Sequence, residues 1–114
     1  MSQVRKIKVM AGNPADKSLT LVPKEVIAWR GDFIVWEIDP YSGVKSIDKI
    51  EMKRGAKNVF LAPPHANGKN WTAEIDGEAN EDDVCTYSII WTGIDGKRRV
   101  FDPIITIKPT QDQV

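Results

Sequence analysis

An all-β sandwich is the fold class this sequence predicts, and three observations predict it. Apolar residues recur at every second position in run after run, the period of a half-buried strand. Clusters of Gly, Pro, Asn and Asp separate runs of five to eight residues. No segment carries a long helical period, and neither an internal repeat nor a low-complexity tract interrupts the chain. A small barrel would satisfy the same pattern; the sandwich is the reading taken here. With 114 residues the chain is expected to be a single domain over 1–114, long enough to bury a core and too short for two.

The stretch from Val84 to Ile107 organises the rest. Cys85, Tyr87, Ile89 and Trp91 alternate with Thr86, Ser88, Ile90 and Thr92, which gives one apolar face. Gly93-Ile94-Asp95-Gly96 supplies residues tolerant of positive φ, and Val100 to Ile107 returns as a second strand. A lone hairpin is marginal in water, so a second sheet must cover that face.

From the N-terminus, Val4 to Met10 alternates Ile7 and Val9 with Lys6 and Lys8 and reads as a strand ended by Gly12-Asn13-Pro14. Ser18 to Val22 is a second short strand closed by Pro23, which cannot donate to a ladder. Lys24 to Arg30 and Asp32 to Asp39 are two further strands meeting at Arg30-Gly31-Asp32. Asp39-Pro40-Tyr41-Ser42-Gly43 is a turn by composition. Beyond it, Ile47, Ile50 and Met52 fit either one helical turn or a ragged strand, and Lys49 to Lys53 is read as a strand. Val59 to Leu61 is a short strand, 63–68 a Pro-rich loop, Trp71 to Ile75 an edge strand and Gly77 to Asp83 an acidic loop.

Sixteen basic and sixteen acidic side chains cancel, which removes the electrostatic footprint of a nucleic-acid binder. Met1 to Met10 offers no apolar run suited to a signal peptide or membrane span, so a cytoplasmic location and no membrane partner are expected, or a periplasmic location had a leader been removed. One cysteine cannot form an internal disulfide, which agrees with a reducing compartment.

Val26, Ala28, Ile34 and Trp36, spaced from Pro23 with Gly31-Asp32 between them, resemble the N-terminal half of the cupredoxin family. Tyr87-Ser88-Ile89-Ile90-Trp91 resembles its penultimate strand and Pro103-Ile104-Ile105-Thr106-Ile107 its last. The resemblance covers about half of the chain. It implies a Greek-key sandwich of cupredoxin type, with an immunoglobulin-like sandwich as the alternative. A blue-copper site requires two imidazoles, a thiolate and a weak axial ligand. Residues 37–49 contain no histidine, residues 92–101 contain neither histidine nor methionine, and Cys85 stands six residues ahead of Trp91, where the family's thiolate would fall. No copper and no other cofactor is expected.

His65 is the only histidine and reads as a solvated loop residue; Cys85 reads as a small core residue by its parity with Tyr87. Glu74, Asp76, Glu78, Glu81, Asp82 and Asp83 match no calcium loop and read as a solvated acidic loop. Lys53-Arg54 with Lys57, and Lys97-Arg98-Arg99, read as wet turns. Without a phosphate-cradling glycine loop, a nucleophile elbow or partners for one histidine, enzymatic activity is not expected.

Two groups of exposed apolar residues point instead to binding. With Val26, Ala28, Ile34 and Trp36 inward, Ile27, Trp29, Phe33 and Val35 face outward, as one patch or, should the strands lie in different sheets, as two smaller ones. Burial of such side chains is worth roughly 1.5–3 kcal/mol each, and exposed patches mark interfaces, here with a second copy of the chain or another protein. Tyr41 and Trp71, together with Trp29, are candidate stacking platforms for a small ligand or carbohydrate.

Overall fold

The computed structural model describes residues 3–23, 26–53, 58–79 and 83–108, and within them it is all-β, a sandwich of two sheets. Ten strands form it: β1 (Val4–Asn13), β2 (Ser18–Val22), β3 (Val26–Trp29), β4 (Phe33–Ile38), β5 (Val44–Met52), β6 (His65–Asn67), β7 (Asn70–Glu74), β8 (Val84–Gly93), β9 (Arg98–Phe101) and β10 (Ile104–Lys108). The first sheet has the order β2-β1-β4-β7-β6; the second runs β3-β10-β8-β5, with β9 also on β8. Most neighbours are antiparallel, but β1 lies parallel to β4 and β3 parallel to β10. Both parallel pairs follow from the chain changing sheets on each side of β3. Gly31, at φ 79°, makes the second change, in a turn closed by Asp32 N donating to Trp29 O at 3.1 Å.

The hairpin forms as its alternation demands, with one refinement. From Thr92↔Arg98 to Val84↔Thr106 the return chain keeps a single register beside β8, yet it is divided into β9 and β10 at Asp102-Pro103. Pro103 has no N–H to give to a ladder; its carbonyl instead accepts from Tyr87 N at 3.1 Å. Asp102 accepts from the Ser88 hydroxyl at 2.6 Å.

Cys85, Tyr87, Ile89 and Trp91 from β8, and Val26, Ala28, Ile34 and Trp36 from β3 and β4, are all buried. Trp36 meets Tyr87 edge-on at 5.6 Å and Phe60 at 6.3 Å, and its Nε1–H donates to the Tyr87 hydroxyl at 3.1 Å. The buried polar atoms of this aromatic group thus satisfy one another.

Several elements differ from the sequence reading. Strand β5 begins at Val44 rather than Lys49, because register shifts between Val44 and Ser46 and between Ile47 and Lys49 break its two-residue period. Its inward residues Val44, Ile47 and Ile50 therefore fall three apart, a spacing that imitates a helix. The Pro-rich loop contains β6, which takes the sheet edge from β7. Val59 to Leu61 reduces to an isolated bridge, Phe60 to Ile75. The Arg98-Arg99 pair belongs to β9, not to a wet turn: strand parity turns Arg99 inward opposite Trp91, leaving it 8% exposed.

Candidate functional site

The four outward residues of 26–36 divide between the sheets, two and two. Ile27 is exposed on β3 in the second sheet, while Trp29 is half-buried beneath the Arg5 guanidinium, 4.3 Å from its ring. Phe33 and Val35 lie on β4 in the first sheet, in rows with Val4 and Lys6 of β1. Around them stand the charged side chains of Lys8, Glu37 and Glu74, so no continuous apolar patch spans all four.

A more deliberate construction occupies the end of the sandwich where residues 14–17, 39–43 and 94–97 meet. Gly12 N donates to Ser42 O at 2.8 Å, Ile94 N to Gly43 O at 3.0 Å, and Trp91 Nε1 to Lys17 O at 3.2 Å, which ties the three loops together. Within the second loop, Tyr41 N donates to the Asp39 carboxylate at 2.9 Å and Ser42 N to Asp39 O at 3.0 Å. Underneath lies the Trp91 ring. A Cβ on Gly12 would stand 2.7 Å from it, so only glycine admits this approach.

The Arg99 guanidinium lies over that ring at 5.2 Å and donates through Nη1 and Nη2 to both Asp95 oxygens, at 3.0 and 2.6 Å. The Arg99 hydrogen bonds, with one from Lys97 N, hold the Asp95 carboxyl well below the usual carboxylate range. On this braced backbone two large apolar side chains point into solvent: Tyr41 is 94% and Ile94 80% exposed. Sequence reasoning singled out Tyr41 and passed over Ile94, although an isoleucine inside Gly-Ile-Asp-Gly was the available signal.

Trp71 is not a partner for Tyr41. It pairs across the ladder with buried Trp36, packs half-buried against the core, and donates its Nε1–H to Ile47 O of the opposite sheet at 3.1 Å. Its role is a wall between the sheets. His65 is exposed, opposite Thr72, on the rim of a shallow groove shared with Phe33, Leu61 and Glu74. Among the described residues no three His, Cys, Asp or Glu side chains gather as a metal site; Glu81 and Asp82 of the acidic loop, and Arg54 and Lys57 of the basic cluster, lie outside those residues.

Cys85 is fully buried, with Sγ 3.4 Å from Met52 Sδ, and burial pushes its thiol from 9.0 up to about 11. The native protein is therefore expected to resist a thiol reagent at pH 8 and to react fully once unfolded; rapid native labelling would refute this placement. The sign for stability follows from the same shift. The contribution is complete below the unfolded thiol's value near 9 and is lost as pH rises toward 11, because only the unfolded chain then ionises readily.

No family model and no curated protein matches this chain. No helix among the described residues is long and apolar enough to cross a membrane.

Proposed function

We propose that the chain is a non-enzymatic binding module, on a copper-free scaffold resembling the cupredoxins, that contacts another protein through its loop-bearing end. The inward positions of Val26, Ala28, Ile34 and Trp36 and the turn at Gly31 between strands of different sheets support the sandwich, and the likeness to cupredoxins rests on residue spacing alone. The observation that carries the function is the exposure of Tyr41 and Ile94 on loops whose backbones are fixed by hydrogen bonds. Exposing such groups costs free energy, and holding their backbone rigid lowers the entropy lost on association. An exposed aromatic and an exposed aliphatic group on loops joined by a backbone bond fit an apolar protein surface better than a sugar, which stacks on a ring but hydrogen-bonds through its rim.

Affinity capture from the source cell's extract, with wild type and Tyr41→Ser/Ile94→Ser as paired baits, tests this. Both baits should unfold at the same temperature, and a specific protein should be retained at least roughly tenfold better by wild type, the effect of losing two anchor side chains. Identical retained sets would overturn the assignment. A glycan that quenches tryptophan fluorescence in wild type but not in the variant would replace it with the carbohydrate reading.

A further inference from the structure

We infer that the free edge of β2 takes up an extended peptide strand of another protein, one with apolar side chains at every second position. β2 ends the first sheet and is paired with β1 alone. Main-chain groups of successive residues point to alternate sides of a strand, so about half of those on β2 face away from β1. Ser18 N is taken by the Asp16 carboxylate at 3.0 Å. Among the described residues no other main-chain group of β2 bonds beyond its ladder with β1.

The other edges are guarded in the usual ways. β6 is three residues long, β5 is broken by two register shifts and carries Lys45 and Lys49, and β9 carries Arg98 and Arg99. β3 and the first half of β1 line a groove that holds Arg5 and Lys6. β2 has none of these protections: Ser-Leu-Thr-Leu-Val is uncharged, and the one register shift in its ladder falls on β1, between Val9 and Ala11.

Beside this strand lies a groove of about 390 Å³, lined by Leu19 and Leu21 of β2, Phe101 of β9, and Asn13, Ser18 and Thr20. Cross-strand neighbours share a face, so a strand laid on β2 sends every second side chain inward beside Leu19 and Leu21, toward that groove, and the others outward beside Thr20. Parity thus sets the pattern the partner must carry.

Three properties select a peptide over a second copy. Main-chain donors and acceptors repeating every two residues, about 6.8 Å, are matched by another extended main chain. A second copy offers an uncharged, unbroken edge in its own β2, yet Leu19 and Leu21 there are 4% and 5% exposed within their own core and have nothing to place in the groove. The contact is also too small for a dimer. An edge of five residues is about 17 Å long and, at the roughly 10 Å spacing of packed sheets, about 10 Å deep. That is on the order of 170 Å², well short of a standard interface of about 800 Å² per partner. A peptide whose side chains belong to no core gains the groove as well as the ladder.

This inference does not rest on the loop-end reading, and Tyr41→Ser/Ile94→Ser should bind the peptide as wild type does. Amide NMR of the full chain tests it, with a synthetic hexapeptide of alternating valine and threonine, acetylated and amidated, as the probe. Shifts should concentrate in β2 and around Phe101, and alternate amides among residues 19–22 should exchange with solvent at least roughly tenfold more slowly at saturation. N-Methylation of the valines alone or of the threonines alone should abolish binding in one case and spare it in the other, because one set of amides faces β2. Since the changes are made in the peptide, a folding defect of the protein cannot imitate them. No shift at about 1 mM peptide, equal binding of a peptide with the same residues in blocks, or perturbation of β5 or β6 instead overturns the inference. So does protection of those amides in the free protein, whether it grows with protein concentration, which marks a second copy, or stays constant, which marks a segment of this chain.

Discussion

Replacing Asp32 with alanine is expected to lower the free energy of unfolding by about 3–5 kcal/mol, the cost of stripping a buried carboxylate from several donors at once. The side chain is 1% exposed and accepts from Trp29 N at 3.1 Å, Gln3 N at 3.1 Å and Arg5 Nε at 2.9 Å. Those donors come from three places: the end of β3, the residue preceding β1, and β1 itself. Asp32 also donates its own N–H to Trp29 O and accepts at its carbonyl from Ile75 N. One side chain thereby fastens the point where the chain leaves the second sheet for the first. Alanine strands two backbone N–H groups and leaves Arg5 only its remaining contacts, among them the Trp29 ring. Asparagine keeps one acceptor oxygen but turns an amide toward a donor, so about half the loss is expected. Urea unfolding followed by tryptophan fluorescence measures both, with the slope unchanged. A loss below about 1 kcal/mol for alanine would show that the hub is incidental.

Trp91→Ala is expected to cost a similar 3–5 kcal/mol and, unlike Asp32→Ala, to loosen one end of the molecule selectively. The ring is fully buried, donates to Lys17 O, touches the position beneath Gly12 and carries Arg99 above it. Its removal opens a cavity and releases the first loop at Lys17, leaving Gly12 N to Ser42 O as the bond between the first and second loops. Trp91→Phe keeps most of the packing and drops the hydrogen bond, so about 1–2 kcal/mol should be lost. Hydrogen exchange distinguishes this from uniform weakening. In Trp91→Ala the amides of Gly12 and Ile94, which bond across the loops, should exchange faster by a larger factor than those of Ile34 and Trp36. Equal acceleration everywhere would mean that Trp91 only fills space.

Much of the core was legible from residue order, because strand parity is a local property. The parity of Cys85 with Tyr87 and Ile89 points it inward, and it is buried. Legibility failed where locality failed. Two register shifts gave β5 a three-residue spacing, and no periodicity within that segment reveals a neighbouring strand's register. Arg99 was grouped with its basic neighbours, though the parity of Val100 and Phe101 with a strand beginning at Arg98 would have turned it toward Trp91. At the loop-bearing end, Tyr41 was visible as an aromatic in a turn, whereas its proximity to the loop of Ile94 rests on a bond between residues 43 and 94.

By itself, then, the amino-acid order determined an all-β sandwich and which side of most strands faces inward, since alternation, turn residues and proline act over a few residues. Only the tertiary structure decided that β3 and β4 belong to different sheets, that Ile27 gains Thr106 as its cross-strand partner while Phe33 gains Val4 and Glu74, and that Asp32 gathers donors from distant segments. Those outcomes depend on pairing between strands far apart along the chain, where the loop entropy spent in closing each contact is recovered only once the whole core has packed.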